Sequence, residues 1–367
     1  MTSPALEAEI RRRIEIAGPM PVSQYMALCL AHPEHGYYTT RDPLGWPGDF
    51  TTAPEISQIF GELIGLWAAA TWQSMGAPAS IALVELGPGR GTLMRDALRA
   101  AHVVPDFRAT LTVHMVEVSP VLMGRQRETL SGLGVPIEWH QSFDDVPAGR
   151  SIVIANEFFD ALPIHQAVKL SNGWHQRVVE IDKVGNLAFG IAPDLLPHFD
   201  LLLPNEVRDA PIGALYEWRN DRLALELGRR LARDDGAALV IDYGHAQSAA
   251  GETFQGVGKH TYANPLVAPG VVDLTAHVDF PALAHAAESM GARAHGPLTQ
   301  AEFLNRLGIE ARASTLMAGA TPEQANEIEH AVARLTDPGR TGMGSLFKVI
   351  GLANARLTSL PGFELES

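Results

Sequence analysis

Apolar and polar positions along the chain follow two alternating periods. Short apolar runs bounded by turn residues recur at 81–86, 110–117, 137–139, 151–155, 238–242 and 346–352, and each predicts a strand. Between and beyond them, apolar residues spaced three and four apart predict helices at 92–99, 120–130 and 216–232, then at 281–290, 299–307, 310–317 and 322–335. Strands alternating with helices predict an α/β fold with a doubly wound sheet. Ahead of the first strand, Leu6, Ile10 and Ile14 mark a helix that Gly18 and Pro19 stop, and a second helix follows from Ser23. A loop of about 25 residues comes next, longer than is usual in compact domains. A long helix then starts at Glu55, with Ile56, Ile59, Phe60, Leu63, Ile64 and Trp67 on one face. After the fourth strand, three runs at 164–170, 175–181 and 187–192, separated by SNG and KVGN, predict an antiparallel insert. The glycine-rich stretch 245–266, carrying Lys259 and His260, reads as a candidate lid on which those two residues are solvated.

Composition narrows the class without fixing it. With 367 residues, 46% hydrophobic and 19% charged, the chain has the balance of a soluble globular protein with more than one unit. The expected organisation is an N-terminal helical and loop cap over 1–80, a core over 81–352 with insertions near 162–215, 244–275 and 297–340, and a tail over 353–367. A net charge of −14 argues against a nucleic-acid partner. The single cysteine, Cys29, excludes an internal disulfide and any cysteine-based zinc cluster, which fits a reducing compartment. No membrane span is expected, because Glu62 interrupts the longest apolar candidate. The N-terminus mixes acids among its arginines and lacks an apolar core, unlike a signal peptide, so a cytoplasmic location is expected.

The chemistry concentrates at the ends of the predicted strands. Gly87, Gly89 and Gly91 follow the first strand and open a helix, removing Cβ atoms where a nucleotide-like ligand could approach the backbone. The third glycine arrives one residue early for a dinucleotide fingerprint, which argues against NAD. With Glu85 two residues before the first glycine, E-x-G-x-G-x-G resembles motif I of class I S-adenosylmethionine (SAM) methyltransferases. There the acid and backbone face the amino-acid end of SAM. Glu117, ending the second strand, is placed to accept hydrogen bonds from a ribose diol. Ser142 or Asp144, in the turn after the third strand, is a candidate for the adenine, with Asp145 an equal candidate by charge. Asn156, Glu157, Phe158, Phe159 and Asp160 follow the fourth strand, at the switch point of such a sheet, and would face the transferable methyl. Asp49, Thr51, Thr52 and Glu55 cluster where the long loop enters its helix, so this segment is expected to close over the cofactor. His32 and His35 read as loop packing, and no ligand set calls for a metal.

Four segments extend the resemblance over most of the chain: HPEHGYY, GDFTTAPEISQIFGELIG, VELGPGRGTLMRD and ANEFFDALPIH. In this order they resemble the family of the mitochondrial respiratory complex I assembly methyltransferase and its bacterial MidA-like relatives. The resemblance implies a class I methyltransferase fold (a Rossmann-like doubly wound sheet) with added segments and SAM as cofactor. It also implies a protein substrate, with arginine on a complex I subunit as the acceptor for the mitochondrial member. On that reading Glu157 and Asp160, beside Asn156 and with Glu55 as a third acid, hold the guanidinium and accept its proton. The rival readings are a small-molecule methyltransferase and a non-catalytic assembly factor that retains the SAM-binding fold.

Overall fold

The computed structural model describes residues 4–40, 52–258, 261–339 and 342–364. Seven strands form the path of the main sheet: β1 Ile81–Leu86, β2 Leu111–Val116, β3 Ile137–His140, β4 Ser151–Asn156, β5 Gly236–His245, β6 Ala292–Thr299 and β7 Phe347–Asn354. Their spatial order is β6-β7-β5-β4-β1-β2-β3. Strands β1 to β5 run parallel, and β7 lies antiparallel between β5 and β6. A short strand, Val278–Asp279, pairs with the end of β5. The chain winds outward from β1 to β3 and then returns to place β4 on the other side of β1. The carboxyl ends of β1 and β4 therefore flank the switch point, where open α/β sheets bind ligands. This is the class I methyltransferase fold expected from the sequence.

Helices on both faces explain why these strands read as apolar runs rather than alternating ones. Gln58–Ser74 and Thr92–Ala100 cover one face, and Arg222–Asp234 and Phe280–Ser289 cover the other. The first pair packs closely because Gly65 lies at the contact, where a Cβ would sit 2.6 Å from Ala97 Cα. Glu62 is buried on the same helix but is paired with Arg99 at 3.0 Å and Arg312 at 2.7 Å, which compensates the buried charge.

The N-terminal helices Pro4–Ala17 and Val22–Ala31 pack on the inserted segments. Leu6, Ile10, Tyr25 and Met26 share a core with Ile164, Val179, Phe254 and Leu274. The insert is a five-stranded antiparallel sheet of Ile164–Leu170, Gly173–Ile181, Leu187–Leu195 and Leu215–Arg219, with Met20–Pro21 added from the cap.

The structure departs from the sequence reading in four places. The helix expected from Glu55 is broken: Ala53–Ile56 is a separate turn, and Ser57 is extended with its hydroxyl accepting the Ile59 N–H at 3.2 Å. The helix expected over 216–232 begins at Arg222, because residues 215–219 pair with Ile164–Leu170 and that ladder overrides the helical spacing. The stretch expected to be a lid contributes instead to a three-stranded antiparallel sheet, Gln255–Gly258, Thr261–Ala263 and Asp273–Thr275, anchored by buried Phe254 and Leu266. Lys259 and His260 lie outside the described residues. Strand β6 went unread because its pairing shifts register between His295 and Leu298. Among the described residues no helix is long and apolar enough to cross a membrane.

Candidate active site

The turn after β1 is built from left-handed backbone. Gly87, Gly89 and Gly91 have φ of 63, 54 and 80°, a region that other residues adopt at a cost. At Gly87 space is the second constraint: a Cβ would lie 2.6 Å from Phe158 Cδ2. Gly91 is the N-cap of Thr92–Ala100, so the first N–H groups of that helix open toward the turn. The Thr92 hydroxyl donates to Glu55 Oε1 at 2.5 Å, and Thr52 begins the short turn that carries Glu55, its carbonyl accepting the Glu55 N–H at 2.9 Å while its side chain makes no capping bond. Thr51 and Asp49 lie outside the described residues.

Two acids stand behind this turn in different states. Glu117 is buried, but its Oε1 accepts the Ser119 N–H at 2.8 Å and its Oε2 the Gln126 amide at 3.1 Å. Burial raises its pKa, and those bonds oppose the shift. Each oxygen keeps a lone pair for a further donor. Gln126 also donates to the Gly89 carbonyl at 2.7 Å and accepts from Trp139 Nε1 at 3.0 Å, tying the glycine turn to Glu117. Glu85 is buried with Oε2 unpartnered, and burial together with the Glu117 charge pushes its pKa up to about 8.

A cavity of about 570 Å³ opens at the carboxyl ends of β1 and β2, bordered by Gly87, Glu117, Ser142, Phe143, Asp144 and Phe158. Of the three adenine candidates, Ser142 and Asp144 border this space. Asp145 instead closes a capping box on Ser142, accepting its N–H at 3.1 Å. Asp144 pairs with Arg222 at 2.5 Å. A wider cleft of about 1640 Å³ adjoins the cavity, and the two share Leu162, His165 and Arg219 on their walls.

The acidic turn after β4 is fastened by a residue the sequence reading missed. Asp242, on β5 just past its pairing with β4, accepts the N–H groups of Phe158, Phe159 and Asp160 on Oδ2 at 3.1, 2.9 and 3.1 Å. Its Oδ1 accepts the N–H of Tyr243 at 2.9 Å. Glu157 sits in the left-handed region, φ 50°, a conformation that needs such support. Its Oε1 accepts the N–H of Ala53 at 3.2 Å and the Asn156 amide at 3.3 Å. Asp160 Oδ2 accepts from the Tyr243 hydroxyl at 2.6 Å, while Asp160 Oδ1 and Asn156 Oδ1 are buried without a partner. Burial, reinforced by Asp160, pushes the Glu157 pKa up to about 7. Burial also raises Asp160 and Asp242. Arg219 lies within this group yet donates to the carbonyls of Asp160, Ala276 and His277.

Phe143, Gln126 and Arg219 were missed as well, because each acts through contacts remote in sequence. Asp242 had a signal, since an acid ending an apolar run at the carboxyl edge of the sheet is the same pattern that singled out Glu117. His32 does what its loop suggested, pairing with Glu9 at 3.1 Å and stacking on His35.

These residues fit SAM: a side-chain-free turn at Gly87, a carboxylate with spare lone pairs at Glu117, and a mainly apolar cavity between them. Residues 63–298 match the family described as "Putative S-adenosyl-L-methionine-dependent methyltransferase". The chain is 38% identical to the mitochondrial protein arginine methyltransferase NDUFAF7 homolog of Drosophila melanogaster, over 95% of this chain and 84% of that protein. It is 39% identical to NDUFAF7 of Homo sapiens, over 83% and 74%. A Burkholderia thailandensis protein solved with S-adenosyl-homocysteine superposes with a TM-score of 0.83 at 30% identity, covering 99% of this chain and 93% of that one. The cytoplasmic location expected from the sequence is overturned by these matches, because the curated relatives are mitochondrial proteins. The chain belongs to the MidA-like family of SAM-dependent methyltransferases, relatives of the mitochondrial protein arginine methyltransferase NDUFAF7.

Proposed function

We propose that this methyltransferase acts on the guanidinium of an arginine in a protein, with a subunit of respiratory complex I as the acceptor the family resemblance suggests. The observation that carries this reading is the surplus of carboxylate at the switch point. Glu157 and Asp160 flank Phe158 and Phe159, and Phe158 packs on Gly87; their pKa values are raised and an Asp160 oxygen is unfilled. A cation is the ligand that such a site favours. The arginine-methyltransferase names of the relatives supply the choice of guanidinium over other cations.

When bound, SAM supplies an activated methyl group. On this reading Glu85 and the backbone of Gly87, Gly89 and Gly91 hold its amino-acid end, Glu117 its ribose, and Ser142 and Asp144 its adenine, while Thr52 and Glu55 close the cap side. A guanidinium stays protonated, with a pKa above about 12, so its nitrogen must lose a proton as the new bond forms. Glu157 is the group to accept it, steered by the Asn156 amide, and Asp160 balances the remaining charge.

The test compares wild type with Glu157→Gln and Asp160→Asn, using labelled SAM on lysate protein and mass spectrometry of the products. SAM binding should persist in both variants while arginine label disappears. Full transfer by both variants, or label on non-protein acceptors alone, defeats the proposal.

A further inference from the structure

At the open edge of the main sheet, on the side of β2 and β3, three side chains with metal-ligand chemistry converge outside the acidic turn. His114 on β2 lies directly opposite Glu138 on β3 in the parallel register. Glu138 and His140 are two apart on one strand, so all three project from the same face. His114 Nδ1 is 2.9 Å from His140 Nε2, and Glu138 Oε2 is 3.7 Å from the first and 3.9 Å from the second. Among the described residues this is the one group of three histidines or acids whose ligand atoms all lie within 4.8 Å of one another.

An imidazole pair alone accounts for only part of this arrangement. Two facing ring nitrogens share one proton, and a carboxylate oxygen at 3.7 Å is too far to join them by a hydrogen bond. A tetrahedral cation with bonds of about 2.0–2.2 Å needs its ligands about 3.4 Å apart, a value that the three observed separations straddle. Two nitrogens and one carboxylate oxygen suit zinc, with the fourth position left to water. His114 is buried and Glu138 exposed, so the site has a solid floor and a solvent entrance.

We propose that His114, Glu138 and His140 form a zinc site that fastens the edge strand β3 to β2. The strand matters because the His140 carbonyl accepts the Glu117 N–H at 2.9 Å, and Gln141 and Ser142, which follow it, border the cofactor cavity. A cation there braces that wall.

The experiment titrates tag-free, metal-stripped full-length protein with zinc chloride by calorimetry, and checks affinity against a chromophoric chelator. One equivalent should bind at micromolar or tighter affinity. Glu138→Gln should weaken binding about tenfold or more and His140→Ala about 100-fold or more, both at exposed or half-buried positions. Nitrogen-15 spectra of labelled histidines should show the His114 and His140 rings shifting together on zinc addition. Binding of less than one equivalent overturns the proposal. So does unchanged affinity in both variants, or a histidine spectrum in which other rings shift and these two do not.

Discussion

The acids beside the glycine turn, at its Glu117 end and at its Glu157 end, are built on opposite electrostatic plans, and of these acids Glu117 borders the cavity while Glu157, Asp160 and Asp242 do not. At the first, Glu117 has a backbone and an amide donor in place, and Gln126 ties it to the glycine turn. At the acidic end, Glu157, Asp160 and Asp242 crowd one turn. There Asp242 satisfies backbone N–H groups, Arg219 satisfies backbone carbonyls, and buried oxygens on Asp160 and Asn156 are left over. The first end is organised before any ligand arrives. The second holds buried carboxyl groups whose pKa values are raised, so the two ends should respond differently to substitution and to pH.

Removing the first end should have the largest effect. Gly87→Val combines a left-handed φ with collision against Phe158, and SAM affinity should fall on the order of 100-fold with the fold intact by circular dichroism. Unchanged affinity by calorimetry would show that the turn is not the cofactor's seat. Glu117→Ala should cost on the order of 1 to 3 kcal/mol of SAM binding through the unpaired ribose hydroxyls. An equal loss from Glu157→Gln would erase the contrast between the ends.

The acidic end should announce itself in pH dependence. Glu157, with its pKa near 7, is neutral below that value in the free protein and ionised above it. kcat/KM should therefore rise up to tenfold per pH unit as pH climbs toward 7 and then level, and Glu157→Gln should lose this limb. A wild-type profile flat from pH 5.5 to 8 removes Glu157 as proton acceptor. The smallest effect concerns Glu85, whose folded pKa of about 8 lies above its unfolded value near 4.5. The folded state then holds a proton that the unfolded chain releases, so stability declines as pH rises from about 4.5 through about 8. Glu85→Gln should flatten that decline in ligand-free thermal melts.

How much could be read in advance follows from how local each feature is. Strands β1, β2, β4, β5 and β7, the glycine turn, Glu85 and Glu117 were legible because each is a contiguous pattern whose physics is settled within a few residues. Residues 216–219 were read as helix because their spacing flows into that of Arg222–Asp234, and only pairing with a strand some fifty residues earlier decides otherwise. The break at Ser57 hides for the same reason: one extended residue leaves the apolar stripe of its helix in phase. Asp242 and Gln126 carry the site's architecture, yet their partners are 82 to 84 and 9 to 37 residues away. Sequence spacing says nothing about such distances. The acidic turn was visible as a motif, but its raised pKa values come from burial, which the motif does not contain.

The N–H of Ala53 resting on Glu157 makes the N-terminal cap and this carboxyl group partners in thermodynamic linkage. Whatever free energy cap docking adds to the affinity of a cation for Glu157, that cation adds in equal measure to cap docking. The reciprocity ties residues 104 positions apart into a single equilibrium. On the proposed reading, a cation held by Glu157 would change the docking of the N-terminal segment.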